Sequence, residues 1–181
     1  LLFKFANKKN TYGMNGSGDV SQLFYPGSTV VGHRYYYNVG RISGNYNWSV
    51  STRSLSDRFN PNDLGYLDRN NITTYALDQY YNIYDPVGKI LQSYNHIGVI
   101  YYRLYKPDVY SQCEVYGSHN ITTLNFTTIG IYWTLQPFTG YDYLEPRTIG
   151  RFYEYPKNYM GGGFYSTDYR KKFAFDLQIT N

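Results

Sequence analysis

The fold class of this protein is decided by residues 44–54, which read GNYNWSVSTRS. The even positions from Tyr46 to Thr52 carry bulky or β-branched side chains, whereas the odd positions carry asparagine, serine and arginine. Successive side chains of a β-strand point to opposite faces of the sheet, so this period of two predicts a strand with one apolar and one polar face. Residues 172–180, KFAFDLQIT, repeat the pattern later in the sequence.

The same alternation recurs along the chain, and helical periodicity is almost absent, which together predict an all-β protein. We predict about nine strands: 2–6, 12–23, 30–39, 44–54, 72–84, 89–105, 110–117, 121–135 and 172–180. In residues 121–135 the apolar positions change from even, at Leu124 and Phe126, to odd, from Ile129 onward. We interpret this change of phase as a β-bulge, or as a strand that projects beyond a membrane.

Composition narrows the class of protein. Of 181 residues, 20% are aromatic, including 25 tyrosines, and 17% are charged, with a formal net charge of +4. Disordered chains have few aromatic residues and many charges, and coiled coils are rich in Ala, Glu, Lys and Leu, so both are excluded. No stretch approaches the ~18 consecutive apolar residues of a transmembrane helix, and the single cysteine, Cys113, excludes an internal disulfide framework. The positive charges are spread along the chain, so we expect no nucleic-acid partner.

Strand length separates a membrane barrel from a soluble sandwich better than alternation does. Several predicted strands reach the ~9–11 residues that a tilted strand needs to cross a bilayer, whereas strands of soluble proteins average ~5–6. The abundance of tyrosine is typical of transmembrane barrels, in which aromatic side chains collect at both water–lipid boundaries. The mean hydropathy of −0.55 agrees with this, because only alternate residues of such a strand contact lipid.

The predicted links between strands alternate in length. Short turns at 7–10, 41–44, 85–88 and 118–120 alternate with longer links at 24–29, 56–71, 105–110 and 136–171. Bacterial outer-membrane barrels have short periplasmic turns and long external loops, so we predict an antiparallel up-and-down transmembrane β-barrel in that membrane. Residues 1–181 would form a single barrel portion with long loops at 56–71 and 136–171. Single-chain bacterial barrels have even strand numbers, so nine strands, with the last one ending on the periplasmic side, cannot close a barrel. Either one strand is missing from the count or, as we favour, the chain is the C-terminal part of a larger barrel.

Charged side chains of the predicted strands lie on the polar side of the alternation, which in a barrel is the lumen. The predicted lumen-facing residues are Arg34, Arg53, Asp78, Arg103, Glu114 and Asp176. The predicted lipid-facing or interfacial residues are Tyr35, Tyr37, Trp48, Tyr81, Trp133, Phe173, Phe175 and Leu177. His33 and His96 do not follow this division, and the sequence offers no account of them.

The two long loops hold the remaining candidates for binding or chemistry. The candidate contact residues are Asn62, Asp63, Asp142, Glu145, Arg147 and Arg151. The carboxylates of the second loop could form a glycosidase-like acid and base pair, but without a sign of a pocket we interpret them as ion-pair partners of its arginines. Asn62 and Asp63 match no EF-hand loop, which needs oxygen ligands at every second position. We therefore predict no catalytic residue, no metal site and no cofactor.

Two loop motifs carry a resemblance to a known family. Residues 60–66, NPNDLGY, and residues 140–147, GYDYLEPR, resemble a family of uncharacterised outer-membrane proteins of Bacteroidota. Members of that family look like a cellulosome-type or family-9-like carbohydrate-binding sandwich joined to a large C-terminal β-barrel. The resemblance implies that the chain from about Val30 onward is a portion of that barrel. It also implies that any carbohydrate-binding role belongs to the sandwich, and it carries over no catalytic residue.

The functional expectation is a pore, or the membrane anchor of a larger envelope protein, with outer-membrane lipid as its surroundings. One alternative is a non-conducting structural subunit that packs against other outer-membrane proteins through its long loops. The others are a soluble β-sandwich that binds glycans and a hydrolase with its site on the external loops.

Overall fold

The computed structural model describes residues 1–61, 69–148 and 150–181, and the regular elements within them are β-strands. They are β1 (Leu2–Ala6), β2 (Tyr12–Tyr25), β3 (Ser28–Arg41), β4 (Tyr46–Leu55), β5 (Ile72–Ile83), β6 (Ile90–Leu104), β7 (Tyr110–Thr123), β8 (Thr128–Gln136), β9 (Gly140–Asp142), β10 (Tyr153–Tyr155), β11 (Asn158–Ser166) and β12 (Asp176–Thr180). In those ranges no helix is long and apolar enough to span a bilayer.

Ten of these strands form one antiparallel sheet in the order β1-β2-β3-β4-β5-β6-β7-β8-β11-β12. Each strand therefore lies beside the one before it, apart from β9 and β10, which pair with each other in a separate hairpin. The sheet is open, with β1 and β12 at its edges in the part of the chain that is described. The all-β, antiparallel prediction is confirmed, and the predicted count of nine strands is corrected to ten in the main sheet.

The predicted strand 121–135 is in fact a hairpin. Strand β7 continues to Thr123 and β8 begins at Thr128, so the residues predicted as a turn at 118–120 lie inside β7. Thr123 and Thr127 pair at 2.9 Å through their backbones, and Phe126 takes a left-handed φ of 58° to close the turn. The change of phase is therefore the hairpin itself and not a bulge. The turn lacks the glycine or proline that usually signals one.

Strand β11 was missed because its sequence, NYMGGGFYS, reads as a flexible glycine-rich loop. Its glycines are paired on both sides, for example Gly162 with Tyr132 and Thr180. A Cβ added at Gly162 would lie 2.5 Å from the hydroxyl of Tyr132, so glycine here makes room for a neighbouring ring rather than for a bend. The following strand begins at Asp176, not at residue 172 as predicted.

The additional strand β11 changes which end of the sheet the last strand runs toward. The long links 56–71 and 137–157 lie at the same end, as predicted, but the link 24–29 proves to be a tight turn at residues 26–27. Because β11 adds one reversal of direction, β12 runs toward the end that carries both long links. The nine predicted strands had placed the end of the last strand on the opposite side.

The sheet is a single layer without a conventional core. The buried apolar side chains of the described residues are Leu55, Phe59, Leu104 and Cys113. Most large apolar side chains of the strands are instead exposed, with Val50 at 47% and Ile131 at 50%. No second layer covers them in the ranges that the structure describes.

Candidate functional site: the two faces of the sheet

The strand register divides the sheet into one apolar and one polar face. Residues that are paired directly across antiparallel strands share a face. One row of paired residues runs Met14, Val39, Val50, Leu77, Val99, Val115, Leu135 and Tyr159. We call this side the apolar face. The reverse side, which carries Arg53 and Asp78, is called the polar face.

Charged residues of the ten-stranded sheet are segregated between these faces. The polar face carries Lys4, Asp19, Arg34, Arg53, Asp78, Glu114 and Asp176, whereas the apolar face carries Arg41 and Arg103, both near strand ends. The middle of the apolar face is thus uncharged across the whole sheet. The separation of charged from apolar residues holds across all ten strands, which the alternation within any one strand could not show.

The register groups the predicted lumen-facing residues with one exception. Arg34, Arg53, Asp78, Glu114 and Asp176 share the polar face. Arg103 instead pairs with Thr73, on the face of Tyr75 and Leu77, so its grouping with the others is corrected. It lies beside a register shift near the end of β6, where its Nε atom is 2.8 Å from the carboxylate of Asp108.

The predicted lipid-facing residues are also grouped by the register. Tyr35, Tyr37, Trp48, Tyr81, Trp133 and Leu177 all lie on the apolar face. Phe173 and Phe175 precede β12 and belong to the link 167–175, so the prediction that they lie in a strand was wrong. That the apolar face contacts lipid stays a prediction.

A hydrogen-bonded cluster on Asp78 lies in the middle of the polar face. The hydroxyl of Tyr116 donates to Oδ1 of Asp78 at 2.7 Å, and Nε2 of His96 lies 2.8 Å from the same oxygen. The ring of Tyr80 stacks on His96 with centroids 4.2 Å apart. The carboxylate is thus held by two neighbours, and an aromatic ring covers one of them.

Gly98 explains how Tyr116 reaches a carboxylate two strands away. Asp78, Gly98 and Tyr116 are paired in one row across β5, β6 and β7. A Cβ at Gly98 would lie 2.4 Å from Cζ of the Tyr116 ring, so only glycine lets that ring lie across β6. The register places His96 on the polar face, so the expectation that it does not follow the division is corrected. The alternation pattern did not single out Tyr80 or Tyr116, because this contact depends on the register of three strands.

Removing the Asp78 carboxylate tests the cluster. We expect Asp78→Leu to lower the free energy of unfolding by about 1–3 kcal/mol, because it leaves two half-buried donors without an acceptor. Asp78→Asn keeps one carbonyl acceptor and should cost clearly less. Urea unfolding, followed by tryptophan fluorescence, measures both. An equal loss of unfolding free energy in the two variants would show that the hydrogen bonds to Asp78 do not stabilise the protein.

The first long link folds back onto the polar face. The side chain of Phe59 is buried, and its ring centroid lies 5.5 Å from the guanidinium carbon of Arg34, which also forms an ion pair with Asp19. The backbone N–H of Asn60 donates to Oγ of Ser21 at 3.0 Å. Residues 56–61 therefore cover part of the polar face. The candidates Asn62 and Asp63 lie outside the described residues.

The second long link contains the β9–β10 hairpin, and Asp142 organises its turn. Oδ1 of Asp142 accepts hydrogen bonds from the backbone N–H of Leu144 at 2.8 Å and of Glu145 at 3.1 Å. Burial acts to raise the pKa of Asp142, but these two bonds and then Arg69, 3.9 Å away, outweigh it and hold the pKa below its usual value.

The predicted ion pairs within this link are not formed. The partner of Asp142 is Arg69, from the other long link, rather than Arg147 or Arg151. Within the described ranges neither of these arginines, nor Glu145, forms an ion pair. For Asp142 the physical reason is that one carboxylate oxygen accepts hydrogen bonds from its own turn and the carboxylate faces Arg69. Over the same ranges no group of three His, Cys, Asp or Glu side chains could hold a metal ion.

Comparison with known proteins gives one family. A family model described as a domain of unknown function (DUF5916) matches residues 1–181. No curated protein and no solved structure matches the chain. The match therefore covers the sheet and both long links together.

Proposed function

The chain belongs to this DUF5916 family, and we propose that its ten-stranded sheet is an arc of a transmembrane β-barrel in a bacterial outer membrane. The observation that carries the proposal is the apolar face, whose middle is uncharged across the whole sheet and which has a polar face behind it. The resemblance of the two loop motifs to an outer-membrane family of Bacteroidota supports the same location.

The size of the apolar face argues for a lipid environment. Soluble monomers rarely expose contiguous apolar patches beyond a few hundred Å², and each Å² of apolar surface in water costs roughly 25 cal/mol. Val50, Leu77 and Ile131, on three different strands, are 47%, 40% and 50% exposed. Lipid would remove this cost without a second protein layer, which favours a barrel over a soluble sandwich.

Strand length supports the same conclusion. Strands β2 to β8 and β11 are 9–15 residues long, and a tilted strand crosses a bilayer in ~9–11 residues. The unpaired edges of β1 and β12 would be closed by further strands, because an open edge does not occur within the hydrocarbon region. The polar face would then line the lumen, with residues 56–61 folded into it.

The proposed role of the barrel is a pore or a membrane anchor. A lumen lined by Arg34, Arg53, Asp78 and Glu114 would be wet and charged, which suits passage of polar solutes. The loop at 56–61 would narrow it. This arrangement supports a restricted pore, and a fully plugged barrel would act as an anchor or as a structural subunit of an outer-membrane complex.

Migration on a denaturing gel tests the barrel. We expect protein extracted from outer membranes in detergent to migrate faster before heating than after it, because a closed barrel resists detergent unfolding until it is heated. A protein that is recovered without detergent and shows no heat-dependent shift would contradict the proposal. Conductance steps in planar bilayers would support the pore, and a heat-modifiable but silent protein would support the anchor.

A further inference from the structure

A cleft at the end of the sheet that carries both long links is bounded by unpaired cations. Its volume is about 610 Å³, and it lies between the β6–β7 link and residues of the ranges 143–148 and 150–152. Lys106, Arg147 and Arg151 line it. None of these side chains forms an ion pair within residues 1–61, 69–148 and 150–181.

Two acidic residues near the cleft are already engaged, and a third, Glu145, forms no ion pair in the described ranges and does not line the cleft. Asp108 lies 2.8 Å from Nε of Arg103, and Asp142 accepts hydrogen bonds from its own turn and faces Arg69. Neither carboxylate lines the cleft. No carboxylate of the described residues is ion-paired with Lys106, Arg147 or Arg151, so an external anion could bind them without displacing one.

The walls of the cleft are apolar. Pro107 and Val109 contribute one side, and Leu144 and Phe152 contribute the other, above the buried Leu104. Phe152 is 47% exposed although its ring contacts Tyr141 and Tyr143, so one surface remains open. A ligand for this cleft thus needs an apolar or planar body as well as a negative charge.

We propose that the cleft binds a phosphate monoester carried on an apolar body. Guanidinium groups pair with phosphate oxygens through two parallel N–H donors, which is why arginine is preferred where oxyanions are recognised. The apolar walls would hold the attached chain or ring. Such a ligand is either a phosphorylated membrane lipid or a soluble phosphate ester. The lipid source rests on the proposed membrane location, whereas the chemistry of the cleft does not.

Binding of defined phosphates to the detergent-solubilised protein tests the proposal. The probes are phenyl phosphate, inorganic phosphate and phosphatidic acid in mixed micelles, each titrated by calorimetry. We expect phenyl phosphate to bind at least about tenfold more tightly than inorganic phosphate, a difference of about 1.4 kcal/mol. Phosphatidic acid that binds more tightly than phenyl phosphate would assign the ligand to the membrane, and equal binding would assign it to soluble esters.

Charge variants connect the binding to this cleft. The double variant Arg147→Asn, Arg151→Gln should weaken the binding of phenyl phosphate and of phosphatidic acid by about tenfold or more. Asparagine is chosen at residue 147 because it tolerates the φ of 52° there. Lys8→Gln with Lys9→Gln, which removes the same charge at the opposite end of the sheet, should leave binding unchanged. No binding, equal binding of inorganic phosphate, or equal effects of the two double variants would overturn the proposal. Heat-dependent gel migration, measured on the same variants, reports separately on the barrel.

Discussion

Val50→Arg is expected to prevent assembly into the outer membrane, whereas Ser51→Arg, the next residue of the same strand, is expected to be tolerated. Val50 is paired with Val39 and Leu77 on the apolar face, and Ser51 lies on the polar face. An arginine that faces lipid near the middle of the bilayer costs ~2–4 kcal/mol, but one that faces an aqueous lumen remains hydrated. The readout is the fraction of protein that is recovered in outer membranes and is heat-modifiable.

A second pair of variants, on strand β5, tests whether the same difference between the two faces holds on another strand. Leu77 and Ala76 stand in the same relation on β5, so Leu77→Arg should fail and Ala76→Arg should assemble. If both members of each pair assemble equally well, the apolar face does not contact lipid. If all four variants fail, the cost of a bulky charge is the same on both faces and the assignment of the faces is lost.

Gly32→Ala is expected to expel residues 56–61 from the polar face. A Cβ at this position would lie 2.3 Å from the backbone oxygen of Arg58 and equally close to the backbone of Phe59, so the loop must move. Exposing the buried Phe59 ring would cost roughly 1.5–3 kcal/mol. Cleavage by trypsin after Arg58 should accelerate at least about tenfold, as expected for a loss of at least 1.4 kcal/mol, and conductance, where the barrel conducts, should rise.

Gly18→Ala, the same change on the apolar face of the neighbouring strand β2, is the control for this variant. The nearest atom to a Cβ at Gly18 is the backbone oxygen of Arg34 at 3.8 Å, which is an ordinary contact. It should leave both the trypsin cleavage and the conductance unchanged. Accelerated cleavage in Gly18→Ala as well would mean that any side chain in this part of the sheet loosens the loop.

Local sequence could not predict two features of the fold. The turn after Thr123 has the sequence LNFT, which contains no glycine or proline, and it forms because the flanking strands pair and draw Phe126 into a left-handed conformation. Strand β11 contains three consecutive glycines, which are depleted in strands, and it is held by its partners β8 and β12. In both cases tertiary pairing overrides the local signal.

The amino-acid sequence alone is enough to determine the division into two faces, because alternate residues of a strand point to opposite faces of the sheet. That is why Trp48, Tyr81 and Arg53 were assigned to the observed faces without any knowledge of their neighbours. Which residues touch across the strands was decided only by the tertiary structure. The Asp78–His96–Tyr116 cluster and the contact of Phe59 with Arg34 depend on register and on the path of a long link. Both are set by many distant backbone pairings, which no single stretch of sequence contains.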